Sequence, residues 1–199
     1  MSTTQSAGLG IHGVVEQINS FIVGTADLDS SVNMIWNQKT DFQAYPAVSL
    51  KSGTHGDYGG RYIHWGVYEH PMTATSNGIA AFNPGTTIPV TSTFLRFVLY
   101  GASAIRMGAL QQLRVIPVAT HDSIGMGEDG PTHQPIEVAA LFRVMPNMMC
   151  IRLTDSNEPA GAWKVPIEAK QTPTIISLSA QDLPQYPDMT GQEEVANGA

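Results

Sequence analysis

Residues 121–135 read His-Asp-Ser-Ile-Gly-Met-Gly-Glu-Asp-Gly-Pro-Thr-His-Gln-Pro. Two imidazoles, His121 and His133, and three carboxylates, Asp122, Glu128 and Asp129, fall within this one stretch. Histidine titrates near neutrality, so a pair of them suits proton shuttling. A zinc site built from His121, Asp129 and His133 is a competing chemistry, but it lacks a fourth ligand and matches no known zinc spacing. The plainest alternative is a Gly/Asp-rich turn that happens to carry two histidines. Polar density of this kind at a strand end more often serves a ligand.

The flanking residues say how such a loop is held. Before it, the apolar run 115–119, Val-Ile-Pro-Val-Ala, reads as a buried strand. After it, Ile136, Val138, Ala139, Ala140, Leu141 and Val144 read as the apolar face of a helix. Thr132 suits the cap of that helix and Pro135 its first turn. The loop therefore leaves the carboxyl end of a strand, which is where ligands bind in open α/β sheets.

Elsewhere strands and helices alternate. Residues 1–5 read as disordered. Leu9, Ile11, Val14, Val15 and Ile18 recur at helical spacing, and 21–24 is a short buried strand. Asp27 and Ser31 follow in a turn, where simple turn and cap chemistry accounts for both. The stretch 32–60 is loop-rich, with glycines at 53, 56, 59 and 60. A second strand spans 61–65, and Glu69 opens a helix that runs to Phe82. A weaker strand covers 87–90 and a long helix 94–110. Further strands are expected at 148–151 and 174–178, separated by a helix that Ser156 and Asn157 cap. The pattern predicts a single three-layer α/β domain over 6–185, with five or six mostly parallel strands. The tail, 186–199, is acidic and poor in apolar residues, so it is expected to be disordered.

A chain of 199 residues suffices for one domain with a sizeable core. Its formal net charge is −7, with no basic cluster, which argues against nucleic acid and anionic membrane as main partners. The one cysteine, Cys150, cannot form an intrachain disulfide, and a reduced cytoplasmic setting is the default. No signal peptide, membrane-crossing run or peroxisomal Ser-Lys-Leu address is visible.

Two more groups have types that could do chemistry. Glu69 sits at a strand-to-helix junction, although the helix dipole alone favours a carboxylate there. Phe94, Phe97 and Tyr100 recur every three residues, and such a stripe is usually core.

Residues 121–135 closely resemble the signature loop of transketolases and dihydroxyacetone synthases, at almost every position. The resemblance runs from about Ser6 to Pro184 and covers one domain of that family, the one binding the pyrimidine half of thiamine diphosphate. The segment 61–72, Arg-Tyr-Ile-His-Trp-Gly-Val-Tyr-Glu-His-Pro-Met, is similar to the family's Gly-Ile-Arg-Glu-His-Ala-Met. Residues 93–100 resemble its Gly-Thr-Phe-Leu-Asn-Phe-Val-Ser-Tyr, and 25–28 its Ser-Ala-Asp-Leu.

The resemblance implies the following roles. Glu69 would hydrogen-bond a ring nitrogen of the aminopyrimidine and make its exocyclic amine basic. Phe94, Phe97 and Tyr100 would form the ring pocket, and Asp27 would face the cofactor. His121 and His133 would move protons at the oxygens of a small carbonyl substrate. Asp129 would read a substrate hydroxyl, and Ser31 would touch a phosphate. There are departures: Tyr68, Pro71, Arg96 and Leu99 stand where the family has other residues. The family's phosphate clamp uses an arginine near the start of the domain and another in Leu-Ser-Arg-Gln. Here no arginine precedes Arg61, and the second motif reads Leu178-Ser179-Ala180-Gln181. No Gly-Asp-Gly motif for Mg²⁺ and diphosphate occurs in these residues.

Two readings stay open. In the first, the chain is the pyrimidine-binding subunit of a split enzyme that transfers a two-carbon ketol or related acyl unit. A partner chain, or a homo-oligomer, would then complete the cofactor site and supply Mg²⁺. Sugar phosphates would not be preferred. In the second, it is a truncated, non-catalytic paralogue that only binds partners.

Overall fold

The computed structural model describes residues 1–44, 47–48 and 55–186. In chain order the elements are α1 (Thr3–Gln17), β1 (Phe21–Thr25), α2 (Asp29–Val32), β2 (Asp41–Phe42), β3 (Ala47–Val48), β4 (His55–Asp57) and β5 (Tyr62–His64). Then follow α3 (Glu69–Phe82), β6 (Ile88–Phe94), α4 (Leu95–Val98), α5 (Ala102–Leu110), β7 (Ile116–Thr120), α6 (Val138–Arg143), β8 (Met149–Arg152), α7 (Pro159–Glu168) and β9 (Thr174–Ser177). The strands form one sheet in the order β3-β4-β2-β5-β1-β6-β7-β9-β8. Every recorded pairing is parallel except β3 with β4.

The expected run of six strands is present as β5-β1-β6-β7-β9-β8, with three short strands beyond β5. Those three fall in the stretch read as loop, because two or three residues carry no legible period. Gly53 lies outside the described residues.

Neighbouring residues on one strand point to opposite faces, and both faces are covered. Val118 and Ile176 join Ile11, Val15, Phe21 and Trp163 on the face carrying α1 and α7. Ala119 and Ile175 join Leu95, Ile105, Val138 and Phe142 on the face carrying α4, α5 and α6. This is the three-layer arrangement that burying a parallel sheet demands.

Four local expectations need correcting. The N-terminus is ordered: Ser2 caps α1, its side chain accepting from the Gln5 amide, and Thr3 and Thr4 are buried against Ser179. The strand expected at 87–90 is a seven-residue strand at the centre of the sheet, and Phe94 is its last residue rather than the first of a helix. Pro89 and a run of hydroxyl residues disguised it, since proline is rare in central strands. The helix after the loop is shorter than expected and starts at Val138; Thr132 does not cap it but bonds His133 instead (Oγ1 to Nδ1, 2.9 Å). Only Val138 and Phe142 of that helix are buried, while Ile136 and Val144 are exposed. The helix expected to be capped by Ser156 and Asn157 begins at Pro159.

Of the tail expected to be disordered, only Tyr186 is described, and its amide donates to Asp155 (2.9 Å); 187–199 lie outside the described residues. Among the described residues no helix is long and apolar enough to cross a membrane.

Candidate active site

The parallel sheet brings the ends of β1, β6 and β7 to one edge. In register, Thr25 of β1 lies beside Ser92 of β6, and Phe94 of β6 beside Thr120 of β7. All the residues singled out from the sequence lie at this carboxyl edge or on the segments that leave it.

His121 is the first residue after β7 and is 7% exposed. Its backbone is left-handed, with φ 59°. A residue with a Cβ pays roughly 1–2 kcal/mol there, so the surroundings must hold it. Its ring stacks on Phe94 at 3.7 Å between centroids and 25° between planes. Thr120 Oγ1 lies 2.8 Å from Nδ1, which leaves Nε2 as the other protonatable position.

His133 joins the same cluster from the far end of the loop. Two 3₁₀ turns, Ile124–Asp129 and Pro131–His133, fold the loop back. Gly127 and Gly130 take positive φ (53° and 71°) at the reversals, where a side chain would be strained. The His133 ring then meets Phe97 edge-on at 5.0 Å and Phe94 at 5.7 Å. Phe94 stacks on Phe97 at 5.6 Å, and Tyr100 extends the row at 6.2 Å from Phe97. Phe94 is buried in the core, Phe97 is half-buried against it and Tyr100 is 70% exposed, so the row runs from the core out to a shelf at the rim. The residue spacing persists although the helix is broken into α4, a 3₁₀ turn and α5.

Glu69 begins α3 and is 7% exposed. Its Oε1 accepts a hydrogen bond from Thr93 Oγ1 (3.2 Å), the neighbour of Phe94. Thr93 and Phe94 point to opposite faces of β6, but the start of α3 packs against Gly101, the neighbour of Tyr100, so Glu69 lies beside the far end of the ring row. Asp129 is exposed at the end of the first 3₁₀ turn and acts on His121 through its charge. Asp27 (φ 61°) and Ser31 reach the same edge from β1, on the opposite side of β6 from the loop. Among the described residues no three His, Cys, Asp or Glu side chains are placed to hold a metal ion.

Sequence reading missed the residues that orient these groups. Thr93 and Thr120 are ordinary strand residues until the sheet places them beside Glu69 and His121. Arg152 and Ser177 both reach Asp122 Oδ2 (2.8 and 3.4 Å), from 30 and 55 residues away in sequence. Asp29 accepts from Thr25 (2.6 Å) and Tyr62 (2.9 Å), and His64 lies between Asp29 (3.6 Å) and Asp41 (3.1 Å). This second network pins α2, which carries Ser31. Apart from Thr120–His121 and Thr25–Asp29, these pairs are distant in sequence and no short-range signal marks them.

Burial holds the His121 imidazole below its ordinary 6.5; Asp129 and Asp122 pull it upward and His133 pushes it down. A histidine depressed in the folded chain binds its proton first in the unfolded chain. Its contribution to stability is thus intact above about 6.5 and falls as pH drops toward the folded value. Denaturant unfolding from pH 8 to 5 should show a steeper acid loss for the native chain than for His121→Gln. Identical slopes would mean that His121 titrates alike in both states.

Residues 1–185 match the family described as transketolase, pyrimidine binding domain. Dihydroxyacetone synthase from Candida boidinii is 45% identical over 197 residues, which is 99% of this chain and 28% of that protein. A transketolase from Pichia stipitis, solved in complex with sedoheptulose-7-phosphate, is 42% identical with a TM-score of 0.91, covering 100% of this chain and 28% of that one. A split gene transketolase chain, described as an inactive beta4 tetramer, shares the fold at a TM-score of 0.68 and 24% identity, covering 95% of this chain and 55% of that one. The buried glutamate, ring shelf and paired histidines thus stand on the fold of those proteins, and the chain belongs to the transketolase family as its pyrimidine-binding domain.

Proposed function

We propose that this domain holds the pyrimidine half of thiamine diphosphate in an enzyme that transfers a two-carbon ketol or related acyl unit between carbonyl compounds. The observation that carries this is Glu69: a buried carboxylate, bonded through one oxygen, at the border of an aromatic shelf. Such a group suits a protonated ring nitrogen, and Phe94 and Phe97 offer the flat surface that an aromatic heterocycle packs against. When bound, the cofactor supplies the carbon nucleophile and electron sink that ketol transfer needs.

The domain's own residues do the rest. Glu69 holds a proton at the edge of the shelf, and Thr93 fixes its rotamer. Phe94, Phe97 and Tyr100 orient the ring and exclude water on one side. His121 Nε2 and the His133 imidazole move protons at substrate oxygens. Burial biases His121 toward its neutral form, so it accepts a proton first. Asp27 faces the cofactor, Asp129 contacts a substrate hydroxyl, and Ser31 stands at a phosphate-contact position.

These 199 residues contain no Gly-Asp-Gly motif, and in this reading diphosphate and Mg²⁺ are held outside them, by another part of the assembly such as a partner chain. Exposed Tyr100, Ile124 and Ile136, on the shelf and along the loop, suit burial in such a contact. Isothermal calorimetry tests this division. The purified chain should bind thiamine diphosphate only weakly, with little response to Mg²⁺. Tight, Mg²⁺-dependent binding would overturn the division of labour. No binding even with a diphosphate-binding partner present would favour a non-catalytic paralogue.

A further inference from the structure

We propose that Arg152, which makes no recorded contact with the ring cluster, is a positioning residue that holds His121 on Phe94 by way of Asp122. Arg152 is the last residue of β8, at the border of the sheet, and its Nε donates to Asp122 Oδ2 at 2.8 Å. Ser177, its register partner on β9, donates to the same oxygen at 3.4 Å. The Asp122 amide donates to Leu178 O (3.2 Å). Asp122 is thereby tied through backbone and side chain to two strands, directly beside a left-handed His121.

The tie depends on the cation. The Asp122 side chain is 2% exposed, and its Oδ1 has no hydrogen-bond partner among the described residues. Without Arg152 a buried carboxylate keeps a single long hydroxyl contact. Leaving such a charge unpaired is costly, so Asp122 must turn toward water. His121 is the adjacent residue, and its φ of 59° costs a residue with a Cβ unless its surroundings hold it. Once Asp122 turns, the His121 backbone relaxes and its ring leaves Phe94. The role assigned to His121 in substrate chemistry rests on the function proposed above; the placement of its ring does not.

NMR of the intact chain reads that placement directly. The aromatic protons of His121 should be shifted by the ring current of Phe94, and their titration midpoint should lie below 6.5. Charged neighbours that set the midpoint are Asp129, His133 and Asp122. In Arg152→Gln the ring-current shift should be lost and the midpoint should rise toward 6.5. Arg152→Lys should retain part of both. Asp122→Asn added to Arg152→Gln should restore the ring-current shift, because a buried amide needs no cation. If Arg152→Gln does not fold, the double variant and Arg152→Lys still decide the matter. Unchanged His121 signals in a destabilised Arg152→Gln chain would overturn the proposal and leave Arg152 a mere staple of β8. Loss of catalysis with His121 signals intact would likewise count against it, whereas altered signals with catalysis intact would instead fault the role given to His121.

Discussion

Glu69→Gln should lower kcat by roughly 10²–10⁴-fold in the assembly that binds the whole cofactor, the range that a positioned proton-transfer group contributes. Glutamine keeps the side-chain shape, and its carbonyl can still accept from Thr93 Oγ1, so thermal stability should change little. What it cannot do is hold a proton for the ring nitrogen. Thr93→Val makes a useful companion. It frees Glu69 to change rotamer, so its effect on kcat should be smaller and should depend on the glutamate being present. A Glu69→Gln assembly with near-native turnover would remove the central support for the proposed function, whatever the fold.

A second large effect concerns the substrate. The Pichia stipitis transketolase was solved with a sugar phosphate, whereas this chain has no arginine before Arg61 and carries Ala180 where the family resemblance implies a second clamp arginine. Four of its six arginines are engaged elsewhere. Arg61 bonds the carbonyls of Val15 and Ile18 at the end of α1, and Arg114 bonds Ile167 O at the end of α7. Arg96 pairs with Glu137 and Arg152 with Asp122. Beside Ala180 the neighbouring hydroxyls are buried and bonded to one another: Thr3 and Ser179 share a 3.1 Å hydrogen bond, and Thr4 Oγ1 donates to Ser179 O. Hydroxyls solvate an oxygen without neutralising a phosphate. Charge-assisted contacts contribute on the order of 1.5–3 kcal/mol each, so two missing ones weaken phosphate recognition by about a hundredfold or more. The kcat/KM ratio for a sugar phosphate against its dephosphorylated counterpart should accordingly favour the unphosphorylated substrate. Ala180→Arg should move the ratio toward the phosphate. A strong native preference for the phosphate would mean that the clamp is supplied from another chain.

Much of the site was legible because its pieces are local. The 121–135 loop, Glu69 at a strand-to-helix junction and the 94-97-100 aromatic spacing are each contiguous patterns, and none needs a distant partner to be recognised. The three-layer α/β class also followed from local periods, since strands buried on both faces and helices of ten or so residues leave plain apolar signatures. The misreadings arose where local pattern and tertiary context disagree. Phe94 looked like the start of a helix because its neighbours are helix formers, yet pairing with Thr120 of β7 extends β6 through it. Ile136, Leu141 and Val144 looked like core, but α6 turns only Val138 and Phe142 inward. Residues 1–5 looked disordered, and the hydroxyls that order them are satisfied by Ser179, at the other end of the chain.

By itself the sequence determined the fold class, the family and the types of residue at the site, because these are carried by periodicity and by short unbroken motifs. Only the tertiary structure decided how the site is held. The stacking of His121 on Phe94, the Thr93 bond to Glu69 and the Arg152–Asp122–Ser177 tie all join residues of different elements, gathered where the strands end. Their contact is set by parallel register, which aligns strand ends that are tens of residues apart, and no window of sequence contains that alignment.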